Sequence, residues 1–252
     1  MTRHRTFILA VAVALAALSA SAVAATYTVY TNDFSTRSKV RALHLVKMSG
    51  QSNNCSRGWS SERLRVAIGA GTTECNYTPS IRAADGGEGG NFAVNVSSVI
   101  SKAVKKSVRT ELFSSVAVRL TDQNSKYRLD VYSAQHRFAL RHYSLGEFAS
   151  EVPGSRLLAS GQRNFIGRPG SWNRLRIRIQ QIPHDAGNPG DDEARLTAKI
   201  NGKLVASVLL DESSAHILEG PRTSITLGRS QKGSSASGAV ALFDNLSIQA
   251  TL

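Results

Sequence analysis

Cysteine is scarce: the 252 residues hold two, Cys55 and Cys75, with no Cys-x-x-Cys and no Cys/His spacing of the kind that builds a zinc site. No Gly-x-Ser-x-Gly elbow is present, so a Ser/His/Asp triad has no anchor. The glycine-rich run 85–90 is not followed by Gly-Lys-Ser/Thr, which excludes a phosphate-binding loop, and it lacks the ligand spacing of a calcium loop. It reads as a turn. His44, His136, His142, His184 and His216 are scattered without metal-ligand spacing. Past residue 25 no apolar run approaches the roughly 20 residues that a membrane-spanning helix needs. Acids are few, 18 against 31 Lys and Arg. No helix-turn-helix, RRM-like or finger pattern accompanies that charge, so a dedicated nucleic-acid reader is not expected.

What is present begins with a leader. Arg3 and Arg5 precede an apolar stretch, 7–18, and the small residues Ala22-Val23-Ala24. That is the pattern of a signal peptide over residues 1–24, with residues 25–252 as one exported domain, extracellular or in the cell envelope. An oxidising compartment and an even cysteine count point to a Cys55–Cys75 disulfide, worth around 3 kcal/mol for a loop of this length. The net charge is +13, or +11 once Arg3 and Arg5 are set aside (29 against 18). Such a balance favours acidic partners.

The clearest structural instruction lies in 172–252. Residues 172–179, Trp-Asn-Arg-Leu-Arg-Ile-Arg-Ile, alternate apolar and basic, the signature of a half-buried strand. Residues 196–200 and 203–210 flank Asn201-Gly202, which suits a two-residue hairpin turn. Strands at 223–227 and 238–248 complete an expected meander. Upstream, strands are expected at 27–30, 39–48, 63–68, 113–120, 126–132, 138–143 and 157–160, with a helix over 94–108 and loops at 51–61, 147–153 and 183–192. Many short strands separated by turns define an all-β, two-sheet antiparallel sandwich.

Trp172 with Leu175-Arg176-Ile177-Arg178, then Ala198-Lys199-Ile200-Asn201-Gly202-Lys203-Leu204, then Leu227-Gly228 and 238–246 resemble the concanavalin A-like lectin/glucanase superfamily, most closely its laminin-G-like members. Asp33-Phe34 suits the same pattern. The resemblance covers the C-terminal third well. It implies a jelly roll with first and last strands side by side and one curved face often used for glycans. The glucanase branch of that superfamily carries Glu-x-Asp-x-x-Glu, which this chain lacks.

Glycoside hydrolysis needs two carboxyl groups flanking the bond. Asp130, Glu111, Asp211, Asp191, Asp192 and Glu193 are available, but nothing in their spacing pairs them, so non-catalytic binding is favoured over catalysis. Sugars stack on aromatic rings beside polar groups. Tyr132 and Tyr143, with Arg128 and Arg141, fall on successive strands and are taken as ligand-binding candidates, together with Trp59. Parity puts Tyr127 in the core and exposes Tyr132. Trp172 is expected to pack at a strand start, and Arg174, Arg176 and Arg178 to form a solvated face. No cofactor is expected apart from a structural calcium shared by Asp33 and Asp244, for which a turn hydrogen bond is the plainer role. The expected activity is lectin-like recognition of an extracellular glycan, anionic given the charge. The alternatives are a glycan hydrolase with an atypical carboxylate pair and an adhesion module that binds another protein.

Overall fold

The computed structural model describes residues 26–46, 54–69, 71–79, 91–119, 126–143, 155–182, 193–210, 222–230 and 239–251. The signal-peptide, glycine-run and 147–153 and 183–192 loop expectations lie outside them. Among the described residues fifteen strands form two antiparallel sheets packed face to face, a jelly-roll-type β-sandwich. Sheet I runs β13 (Lys203–Leu210), β12 (Glu193–Ile200), β11 (Asn173–Ile182), β6 (Phe92–Ile100), β15 (Ala239–Thr251), β4 (Leu64–Ile68) and β3 (Cys55–Trp59). The first strand, β1 (Thr26–Asn32), also pairs with β15, placing Thr26 opposite Thr251. Sheet II runs β10 (Ser155–Gln162), β9 (Arg137–Tyr143), β8 (Lys126–Tyr132), β7 (Leu112–Arg119), β14 (Arg222–Arg229), β5 (Glu74–Pro79) and β2 (Leu43–Val46).

Period-two alternation builds the core between the sheets. Leu175, Ile177 and Ile179 from β11 meet Val116 and Val118 from β7 and Leu129 and Val131 from β8 in one buried cluster. A polar contact crosses it where the Ser98 and Ser114 hydroxyls lie 2.8 Å apart. The Asn201-Gly202 turn joins β12 to β13 with φ of 52° and 80°, the left-handed geometry that a two-residue hairpin requires. Cys55 and Cys75 are bonded, tying edge strand β3 of sheet I to β5 of sheet II.

Several elements differ from expectation. Residues 94–108 are not a helix: β6 takes 92–100, and the helical piece, α2, is confined to Lys106–Arg109. Val94, Val96, Val99 and Ile100 are β-branched and serve a strand held between β11 and β15, where long-range pairing outweighs helix-like spacing. The 39–48 stretch divides into helix α1 (Arg37–Arg41) and β2, and the 51–61 stretch contains β3. The C-terminal strands are not one meander. β11, β12 and β13 are consecutive, whereas β14 crosses to sheet II between β7 and β5 before β15 returns to sheet I.

Candidate functional site

Strand β8 is buried on both faces. Tyr127, Leu129 and Val131 enter the core, and Lys126, Arg128, Asp130 and Tyr132 lie on the opposite, outer face of sheet II. Register brings Arg141 beside Arg128, Tyr143 beside Lys126 and Arg137 beside Tyr132. Four of the five sequence candidates, Arg128, Tyr132, Arg141 and Tyr143, therefore share one patch. Tyr132, expected to be exposed, is only 3% accessible. Its ring tilts against Phe113 at 5.4 Å between centroids and is covered by the Arg137 guanidinium at 4.0 Å. Alternation assigned its face correctly, but it could not show that neighbouring long side chains close over that face.

Arg128 is the hub of this patch. Its Nη1 donates to both carboxylate oxygens of Glu74, at 2.9 and 2.8 Å, and its Nη2 donates to Asp130 Oδ2 at 3.3 Å. Nε lies 2.7 Å from Asp130 Oδ1, too bent for a hydrogen bond, so charge holds that contact. The guanidinium also sits over Phe113 and Tyr143, at 4.9 and 4.6 Å from the ring centroids. Arg141 approaches Asp130 from the other side, with Nε 3.6 Å from Oδ2.

Burial pushes the Asp130 carboxyl up, and the Arg128 charge does not fully offset it. Burial pushes Glu74 up as well, but Arg128, Lys126 and the hydrogen bonds from Arg128 and Asn76 outweigh it, so Glu74 sits below the ordinary glutamate range. Burial raises the Tyr143 and Tyr132 hydroxyls. The patch is thus a filled, internally paired charge network. Its arginines and tyrosines spend contacts on one another, and Arg128, Asp130 and Tyr132 are closed to a stacking sugar. Glu74 gave no advance signal, being an isolated acid next to a disulfide cysteine.

Trp59, the fifth candidate, stands apart from that patch. It ends β3, with Cys55 and Arg57 on the same face of the strand. Its indole N–H donates to the Phe34 carbonyl at 3.1 Å, which fixes the ring while leaving it 38% accessible. Helix α1 supplies the opposite wall. Thr36 caps it by accepting from the Lys39 amide, and buried Val40 anchors it to the core. Arg37 and Arg41 lie one turn apart on α1, and the Arg37 guanidinium sits 5.7 Å from the Trp59 ring centroid. Between α1 and β3 is a cleft of about 390 Å³ lined by Arg37, Val40, Arg41, Arg57, Gly58 and Trp59. Its three arginines are exposed, and none pairs with a carboxylate among the described residues. Sequence reading missed them because it placed Arg41 in a strand and Arg57 in a loop and left Arg37 between elements.

Two other residues bear on the expectations. Trp172 does not pack at a strand start; it is 37% accessible beneath the Arg63 guanidinium, 5.0 Å from its ring centroid. Asp33 Oδ1 accepts from Lys39 Nζ at 2.7 Å and from the Ser35 amide at 3.0 Å, which hold its carboxyl well below the usual range. Asp244 accepts from the Asn245 amide at 2.8 Å and faces Arg63 at 3.9 Å.

No family model matches the chain, and no curated protein matches it in sequence. Solved structures share its fold. A carbohydrate-binding module, CBM66, from Bacillus subtilis superposes with a TM-score of 0.52 at 10% identity, covering 83% of this chain and 96% of its own. An endo-1,3-beta-glucanase from Streptomyces sioyaensis gives 0.55 at 9% identity, covering 89% and 96%. An alginate lyase, vAL-1, from Chlorella virus gives 0.53 at 10%, covering 89% and 100%. At these identities the likeness is one of fold.

Proposed function

We propose that the protein is an exported, non-catalytic carbohydrate-binding module of the concanavalin A-like, laminin-G-like type, and that its glycan occupies the Trp59 cleft. The observation that carries this is a half-exposed, hydrogen-bonded tryptophan at a cleft walled by Arg37, Arg41 and Arg57. An indole face packs against the apolar face of a sugar ring, and arginine forks suit carboxylate or sulfate groups. The sandwiches of similar fold include a carbohydrate-binding module, which supports the reading. A calcium shared by Asp33 and Asp244 would be structural in this scheme and would have to compete with Lys39 for Asp33.

The hydrolase alternative has one observation in its favour: Asp130 and Glu74 share a face, and their carboxyls are shifted in opposite directions, Asp130 up and Glu74 down. A single buried guanidinium holds both, however, and Asp130 is 1% accessible, so neither is free to meet a glycosidic bond. Glycan-array binding by the full chain, at low and physiological salt, tests the module reading. Binding that survives salt and disappears in Trp59→Ala is the expected result. If no glycan on the array depends on Trp59 the cleft is removed from consideration, and cleavage of a glycan that is lost in Asp130→Asn favours the enzyme.

A further inference from the structure

The outer face of sheet I carries a second arrangement, independent of the Trp59 cleft. Along β11, Arg174, Arg176 and Arg178 point away from the core, because Leu175, Ile177 and Ile179 point into it. Alternate residues on a strand are about 6.6 Å apart, so the three guanidinium stems form a row some 13 Å long. The neighbouring strand adds to it. Lys199 stands directly opposite Arg176, and Arg195 stands opposite Gln180, one step beyond Arg178. On the other side, β6 offers the small or neutral residues Ser97, Asn95 and Ala93 against the three arginines.

Among the described side chains none of these five cations meets a carboxylate, and Asp244, two strands away, faces Arg63 instead. Like charges placed directly opposite each other on a sheet destabilise it, as Arg176 and Lys199 do here. A solvated strand face gains nothing from that placement, whereas a strip built for an extended anion does.

At the head of the row lies an aromatic recess of about 330 Å³, lined by Ser97, Trp172, Arg174, Asn201 and Gly202. Its floor is fixed. Asn201 accepts from the Arg174 amide at 2.9 Å and donates to the Phe165 carbonyl at 2.8 Å and to Asn173 Oδ1 at 3.1 Å. The Trp172 indole N–H has no partner among the described residues, unlike that of Trp59. A ring 37% accessible beside the Arg63 guanidinium, with an indole N–H unpaired among the described residues, in a polar recess that opens onto a line of cations, matches a polymer of sugar rings bearing regularly spaced negative groups.

We infer that the outer face of sheet I is a binding track for a linear acidic polysaccharide, one ring of which stacks on Trp172 while its carboxylate or sulfate groups follow Arg174, Arg176, Arg178 and Lys199. The track differs from a membrane-docking face in having a polar recess at its head, although Leu204 and Leu209 are exposed on β13 beyond the cations.

The test uses the full chain, with polygalacturonate as the carboxylated probe and dextran sulfate as the sulfated one. Neutral dextran, single-stranded DNA and phosphatidylserine-containing vesicles are the controls, at about 50 and about 300 mM salt, either side of physiological screening. Trp172→Ala and the double variant Arg176→Ala/Arg178→Ala are expected each to weaken binding of one polysaccharide by about tenfold or more, with unchanged circular dichroism. Trp59→Ala is expected to leave that binding intact. Which probe responds identifies the acidic group.

The proposal is overturned if Trp172→Ala binds as the parent does. It is also overturned if all polyanions bind alike and release together at higher salt, or if vesicles bind and Leu204→Ser/Leu209→Ser abolishes that binding. Loss of binding in Trp59→Ala alone would sink the track and leave the cleft standing. Loss in Trp172→Ala alone supports the track and leaves the cleft to be judged by its own glycan-array result.

Discussion

Arg128 holds Glu74 with a single nitrogen, Nη1, which donates to both carboxylate oxygens at 2.9 and 2.8 Å. The same guanidinium serves Asp130, so one cation keeps two carboxylates compatible with a buried sheet face. Removing one member of a buried pair leaves the others uncompensated, which costs about 3–5 kcal/mol. Arg128→Met is expected to lose stability of that order in urea unfolding. Asp130→Asn, which keeps shape and removes a carboxylate whose charged form burial already disfavours, is expected to lose clearly less. An Arg128→Met variant as stable as the parent would show that the network is idle.

The two acids should leave opposite marks on stability against pH. The Glu74 carboxyl is held below its ordinary value, so its contribution is complete above about pH 4.3 and is lost as the pH falls through its folded value. Asp130 is raised, so its contribution is present below its ordinary value and is lost as the pH rises through the raised one. Melting temperatures followed from about pH 3 to pH 7 should show a shallower acid limb in Glu74→Gln than in the parent. The Asp130→Asn curve should flatten on the less acid side instead.

The disulfide closes a span of 20 residues and joins the two sheets at an edge. Its removal in Cys55→Ala/Cys75→Ala is expected to cost about 2–4 kcal/mol. Because Cys55, Arg57 and Trp59 lie on one strand, the tryptophan emission of the double variant should also report a looser β3 below the unfolding transition.

Gly228 is set by packing and not by backbone torsion. A Cβ there would overlap the Phe113 ring, which lies against the strand. Gly228→Ala should destabilise by about 1–3 kcal/mol, the usual range for overpacking. Adding Phe113→Leu should recover part of the loss in the same denaturant titration.

The fold was more legible than the site. Alternation in β7, β8, β9 and β11 announced a half-buried sheet, and Asn201-Gly202 announced its hairpin, because both signals are local. β6 was misread because valines at helical spacing also satisfy a strand once β11 and β15 flank it. That flanking is a long-range fact. The face shared by Arg128 and Tyr132 was visible from parity, but their burial was not, since it arises from Arg137, Phe113 and Tyr143 on other strands. The arginines of the Trp59 cleft escaped notice because Arg37 and Arg57 meet only when α1 folds against β3. Trp172 was assigned to packing from its position at a strand start, and its exposure emerges only with the Asn201 turn beside it.

The order of the strands in sheet I has a consequence for the birth of the protein. β15 lies between β6 and β4 and also carries β1, yet it comes last in the chain among the described strands. β14, the other late strand, sits between β5 and β7 in sheet II. Until the ribosome has made residues 222–251, both sheets lack an interior strand, and the edges of β4, β6, β5 and β7 have nothing to join. Folding is therefore tied to synthesis of residues 222–251, and nascent forms carry open sheet edges until those residues are made. A ribosome stalled before β14 would hold a chain that can be kept soluble by a chaperone but cannot yet complete either sheet.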